Sequence, residues 1–114
     1  MDWQAFLKDM NRDLAQLRPE IPETSAGFGQ LAKAATTPGA LDGKTKELIA
    51  LAIGVATHCD PCIGFHTRTL HRMGATREEV AEAIGMCIYM GGGPALMYGA
   101  KAMAAFDSVA GEAG

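Results

Sequence analysis

No stretch of this sequence gathers Lys and Arg into a stripe that could follow a phosphate backbone. The 10 basic residues are outnumbered by 13 acidic ones, for a formal charge of −3. Nucleic-acid binding therefore lacks its electrostatic footprint. The apolar run Leu48 to Ala56 falls far short of the roughly 20 residues a membrane-spanning helix requires, so no membrane span is expected. The start, Met1-Asp2-Trp3-Gln4, has no basic-then-apolar leader plan, which points to a soluble protein of the cytoplasm. Cysteine is scarce as well: Cys59, Cys62 and Cys87 cannot build a fully paired disulfide framework. In a reducing compartment, a close pair is more often redox-active, catalytic or metal-binding than structural. No segment sustains period-two alternation between hairpin turns, so no sheet is expected.

What the chain does have is helical periodicity. A length of 114 residues fits a single domain over 1–114, with a core small enough that self-association would help cover leftover apolar surface. Trp3, Phe6, Leu7, Met10, Leu14 and Leu17 recur three and four apart and predict an amphipathic helix near residues 2 to 17, ended by Arg18-Pro19. A second helix, with Ser25 as its N-cap and Phe28, Leu31 and Ala34 on one face, is closed by Thr37-Pro38-Gly39. Asp42 caps a third, whose first turn holds Glu47 and whose nearly all-apolar body belongs in the centre of the fold or at a subunit interface. The fourth begins about Pro61 and stops at Gly74. Thr76-Arg77-Glu78-Glu79 is a capping box that opens the fifth, and after the break Gly91-Gly92-Gly93-Pro94 a sixth covers Ala95 to Phe106. The reading is all-α, with about six helices. Met73, Met86, Met90, Met97 and Met103 are expected to fill irregular gaps in the core, and Cys87 to be a small buried hydrophobe.

The chemistry concentrates in His58-Cys59-Asp60-Pro61-Cys62-Ile63-Gly64-Phe65-His66, where the third helix gives way to the fourth. Two cysteines three apart at a helix start can close a short disulfide, and the terminal amides and dipole favour a thiolate. His66, four residues past Cys62, shares its helix face and can take or return a thiol proton near neutral pH. Such a dithiol can attack a peroxide or a disulfide and then close on itself. A zinc site made of Cys59, Cys62, His66 and either His58 or His71 is the competing reading, and two inert buried thiols are another. His58 and His71 are otherwise expected to face solvent or to be satisfied locally. Glu47 is a candidate proton-relay carboxyl, although in a first helical turn the dipole alone accounts for it. A straight helix over 47 to 58 puts it on the order of 18 Å along the axis from Cys59. A meeting then needs a bend at Gly54, a fold-back of the fourth helix that brings His66 or water between them, or a neighbouring subunit.

The succession Glu47, eleven residues, Cys59, two residues, Cys62, three residues, His66 resembles the signature of the alkylhydroperoxidase D-like (AhpD-like) family within the carboxymuconolactone decarboxylase superfamily. The likeness runs from about Leu41 to Phe106 and takes in Lys46-Glu47-Leu48-Ile49 and Gly74-Ala75-Thr76-Arg77-Glu78-Glu79-Val80. It implies an all-helical bundle with an intertwined oligomeric core, a hexamer built of dimers or a trimer. It also implies alkylhydroperoxidase or disulfide-reductase-like activity without metal or organic cofactor. Cys62 would be the peroxidatic thiol, Cys59 the resolving thiol, and Glu47 and His66 parts of a proton relay. The resemblance further implies reduction by a dihydrolipoyl or thioredoxin-like protein and, in some members, service to a peroxiredoxin. The alkylhydroperoxidase D pattern carries His before its second cysteine where this chain has Pro61. The decarboxylase branch lacks the cysteine pair, which argues against lactone decarboxylation here and leaves it only as the alternative activity.

Overall fold

Apolar residues at helical spacing, punctuated by side-chain caps, fold into helices alone. A computed structural model describes residues 1–113, and no strand occurs among the described residues. The elements are α1 (Trp3–Leu17), a 3-10 turn (Arg18–Glu20), α2 (Pro22–Thr36), α3 (Gly43–Ala56), α4 (Asp60–Arg72), α5 (Arg77–Gly91) and α6 (Gly93–Ala113). The expected all-α class and six helices hold.

Boundaries follow the caps where caps exist. Asp42 accepts the Thr45 amide at 2.7 Å, and Thr76 and Glu79 form the full reciprocal capping box. α2 corrects the expected start at Ser25. It begins at Pro22, whose fixed φ suits a first helical position, and Ser25 already donates its N–H to Ile21 O inside the helix. α6 is longer than Ala95 to Phe106. Only Gly92, at φ 71°, stands outside the helices, and Pro94 falls in the first turn of α6, where its missing N–H breaks no bond.

The core is built by α3 to α6 and closed by the N-terminal half of α1. Leu51 and Val55 of α3, Ile63 and Leu70 of α4, Val80 and Ile84 of α5, and Ala102, Ala105 and Phe106 of α6 are buried together with Trp3. Each fully buried branched side chain contributes about 1.5–3 kcal/mol, so these contacts hold α3 and α4 side by side. Of the stripe expected on α1, only Trp3 and Leu7 are buried; Leu17 is half exposed.

α1 reaches α4 through a small residue. A Cβ on Gly64 would stand 2.7 Å from Leu7 Cδ2 and 3.1 Å from Cγ, and Leu7 is itself fully enclosed. Gly64→Ala is therefore expected to destabilise the fold by about 1–3 kcal/mol through overpacking. Chemical denaturation should show a lower midpoint with an unchanged slope, and an unmoved midpoint would mean that Leu7 can yield.

One apolar expectation needs correction. Met73, Met86, Met90 and Met97 lie 43–79 % exposed and do not fill the core; Met103 alone of that set packs against it. On α3, Ile49 and Ile53 face outward, lining an open hollow of about 260 Å³ with Ala52, Ala56, Met86, Cys87 and Met90. α2 buries none of its residues, and Phe28 and Leu31 are more than 60 % exposed. Its C-terminus is held by Lys46, which donates to the carbonyls of Ala35 (2.9 Å) and Thr37 (2.6 Å), a cation on the negative end of the helix. No described helix is long and apolar enough to cross a membrane.

Candidate functional site

The turn joining α3 to α4 is set by paired backbone bonds. His58 N–H donates to Val55 O (3.2 Å) and Cys59 N–H to Gly54 O (2.9 Å). This closure requires a left-handed residue just past the helix, normally glycine. Gly74 fills that role after α4 at φ 79°, where Gly74 and Ala75 bond to His71 O and Leu70 O. After α3 the left-handed residue is His58, at φ 58° the one positive-φ non-glycine among the described residues. That conformation costs a non-glycine residue roughly 1–2 kcal/mol. Stacking offsets part of it: the imidazole lies on the Tyr98 ring, centroids 4.4 Å apart and planes 7° from parallel.

The reversal leaves Cys59 extended at the N-cap of α4, with its Sγ accepting the Cys62 amide at 3.3 Å. Asp60 and Pro61 start the helix and Cys62 completes its first turn, one residue earlier than the expected start at Pro61. Cys59 and Cys62 are joined as a disulfide, with Cα atoms 5.3 Å apart. Gly54 allows the approach of α3 to this turn. A Cβ there would sit 3.1 Å from Cys62 Cβ, so the glycine serves close contact and not a bend.

Glu47 reaches the site by the fold-back route. α3 and α4 run antiparallel, and His66 Nδ1 lies 2.6 Å from Glu47 Oε2. The first turn of α3 contains no acidic residue, which corrects the expected position of Glu47. With Asp42 as cap, Glu47 lies beyond the free N–H groups, so the dipole does not account for it. It is 8 % exposed and turned inward to the imidazole. A carboxylate oxygen can accept from the imidazole here, an arrangement in which Nδ1 donates to Glu47 and Nε2 is the nitrogen left for another partner. His66 shares its helix face with Cys62, one turn earlier.

The other candidates are held elsewhere. His71 sits edge-on to Phe106 with centroids 6.1 Å apart, and His58 is committed to Tyr98. Among the described residues no group of three or more His, Cys, Asp or Glu is gathered to hold a metal. The imidazoles of the zinc reading therefore lack a common centre with the two sulfurs. Cys87 is buried as expected, its thiol directed at the carbonyls of Ala52 and Ala83 at 3.4 Å. Burial pushes that thiol above its ordinary pKa, which lowers the thiolate fraction at neutral pH. After reduction, two thiols per chain should react quickly with a maleimide, and Cys87 only on unfolding. Rapid labelling of all three would show that the α3–α5 packing opens readily.

The profile of the carboxymuconolactone decarboxylase family matches residues 22–105. The chain belongs to that family. Among solved structures of carboxymuconolactone decarboxylase proteins, one from Legionella pneumophila, determined in its apo form, is 54% identical. It superposes with a TM-score of 0.91 over 94% of this chain and 96% of its own. Another, from Thermotoga maritima and described with a suggested part in the antioxidative response, is 28% identical. Its TM-score is 0.82 over 92% of this chain and 90% of that one. An uncharacterised protein of Cupriavidus necator is 43% identical over 108 residues, 95% of this chain and 96% of its own length. The resemblance drawn from Glu47, Cys59, Cys62 and His66 thus falls inside the family that residues 22–105 match.

The sequence reading did not single out Asp60, Tyr98 or Lys101, nor the backbone role of His58. Lys101 Nζ lies 3.2 Å from both Asp60 carboxylate oxygens and 5.0 Å from the Tyr98 ring centroid. Only His58 carried a signal, since His is among the non-glycine residues enriched in left-handed positions.

Proposed function

We propose that this chain is a thiol-dependent antioxidant oxidoreductase, an AhpD-like peroxidase or disulfide reductase that cycles Cys59 and Cys62 between dithiol and disulfide. The observation that carries the reading is the Cys59–Cys62 disulfide at the start of α4, backed one turn on by the His66–Glu47 pair. The Thermotoga relative's suggested antioxidative role agrees with it.

In the peroxidase direction the Cys62 thiolate attacks the terminal oxygen of a hydroperoxide. The O–O bond breaks, the alcohol leaves with a proton delivered through His66, and Cys62 becomes a sulfenic acid. Cys59 then attacks that sulfur, the disulfide forms, and water departs. A dithiol protein of dihydrolipoyl or thioredoxin type restores the pair by exchange and is itself oxidised. With a disulfide substrate, the same thiolate forms a mixed disulfide that Cys59 resolves. The reading needs neither metal nor organic cofactor. It places the protein in the cytoplasm, in reach of such a donor and of a peroxiredoxin. The uncovered apolar residues of α2, α3 and α5 favour a homo-oligomer, and the AhpD-like resemblance puts a hexamer before a trimer.

The test is thiol titration and intact mass of the reduced protein before and after one equivalent of hydroperoxide. Loss of two thiols and of two hydrogens per chain is expected. Thiols that survive an excess of hydroperoxides and of small disulfides would overturn the proposal. The family's name keeps lactone decarboxylation as the second reading, and turnover of a carboxymuconolactone that survives Cys59→Ser and Cys62→Ser would favour it.

A further inference from the structure

The Lys101–Asp60 pair lies outside the His66–Glu47 pair and yet touches the dithiol turn. Asp60 stands between the two cysteines in sequence, on the first residue of α4, so a bare carboxylate there would oppose a thiolate on either sulfur. Lys101 answers it from α6. Its ammonium is equidistant from both carboxylate oxygens at 3.2 Å, and both side chains are partly buried, at 36 % and 27 % exposure. One turn earlier on the same helix, Tyr98 carries the stacked His58 that holds the left-handed turn before Cys59. α6 therefore grips the dithiol turn at two points, one on each side of Cys59.

We infer that Lys101 is a positioning residue of the dithiol: by neutralising and fixing Asp60 it keeps the reactive thiolate favoured, while Tyr98 holds the turn through His58. The inference rests on the redox reading above and adds a control on it. The charged and titratable groups around the turn are Glu47 from α3, His58 between the helices, Asp60 and His66 from α4, and Lys101 with Tyr98 from α6. Of these, Asp60 and Lys101 are partners in one ion pair, so removing one or the other changes the local charge in opposite senses.

The experiment measures iodoacetamide alkylation of the fully reduced protein against pH for wild type, Lys101→Met, Lys101→Arg and Asp60→Asn. Lys101→Met should lower the rate at pH 7 by roughly threefold to tenfold and move the thiol titration upward, because Asp60 is left uncompensated. Lys101→Arg should restore the wild-type curve. Asp60→Asn should move the titration downward and raise the rate. A merely structural clamp would send Lys101→Met and Asp60→Asn the same way, and that result, or no shift in either, overturns the inference. Thermal unfolding of each variant reports folding separately, and Lys101→Arg keeps the test decisive if Lys101→Met proves unstable: an Arg curve displaced from wild type counts against. If the wild-type pair ignores hydroperoxides and disulfides, the redox reading fails while these titrations still report on Lys101. If the pair cycles and the titrations coincide, this inference alone fails.

Discussion

Cys62→Ser is expected to abolish hydroperoxide consumption, with turnover falling on the order of 10³-fold or more, because Cys59, the other sulfur at the site, then has no partner with which to close a disulfide and turn over. Cys59→Ser should behave differently. Its first turnover proceeds, and the protein then stops one oxygen heavier, as a Cys62 sulfenic acid, or with a small thiol attached. The contrast assigns roles that the folded geometry leaves balanced. Cys59 is the N-cap of α4 and its sulfur takes the Cys62 amide, whereas Cys62 has the His66–Glu47 pair one turn behind it. An amide hydrogen bond stabilises a thiolate, but only the imidazole can also return a proton to the departing alkoxide. That second duty is why the proposal puts the attack on Cys62. Mass spectrometry after one equivalent of hydroperoxide decides the matter: an oxygenated Cys59 in the Cys62→Ser protein would reverse the assignment.

How much of this could be read from the chain depends on the range of the forces involved. Thr76 with Glu79, Asp42 with the Thr45 amide, and Gly74 are caps whose partners lie within a few residues, and they fall where the sequence puts them. The start of α2 was obscured because Pro22 and Ser25 are both good helix openers and α2 buries no residue that would fix a phase. Three glycines before Pro94 look like a long break, yet only Gly92 is needed to reverse the chain, and helical hydrogen bonds resume at once. Periodicity shows that Ile49, Ile53, Met86 and Met90 share apolar faces. It does not show which faces one chain can cover by itself, and these stay open. Within the site, the cysteines, the helix start and the position of His66 were legible because they are local. The meeting of Glu47 with His66 spans 19 positions and that of Asp60 with Lys101 spans 41, distances closed only by packing α3 and α6 against α4. The sequence offered the first of these as one of three routes and family likeness raised its weight, while nothing in the sequence marked the second.

Glu47→Gln should leave both thiols present and oxidisable and yet slow the reaction with hydroperoxide by on the order of 10²-fold, against ~10²–10⁴-fold for His66→Asn. The difference follows from where each group stands. In the proposed relay His66 is the residue that exchanges protons with Cys62 chemistry, and Glu47, 2.6 Å away, would act on it by fixing the Nδ1 proton and steadying the imidazolium formed when Nε2 is protonated. An amide keeps the shape and can still accept a hydrogen bond, but it carries no charge and can also present its NH₂ to the ring. The imidazole then loses both its fixed tautomer and its counter-charge. Because Glu47 is buried, a loss of rate could also come from a loosened α3–α4 packing. Two measurements separate these causes. A Glu47→Gln protein that unfolds at the wild-type temperature but reacts slowly, with an altered pH profile, supports the relay. Equal slowing at every pH together with a lowered unfolding temperature would make Glu47 a packing residue, and the Glu47→Gln, His66→Asn double variant checks the pairing: the two losses should fail to multiply, since a carboxylate without its imidazole has nothing left to orient.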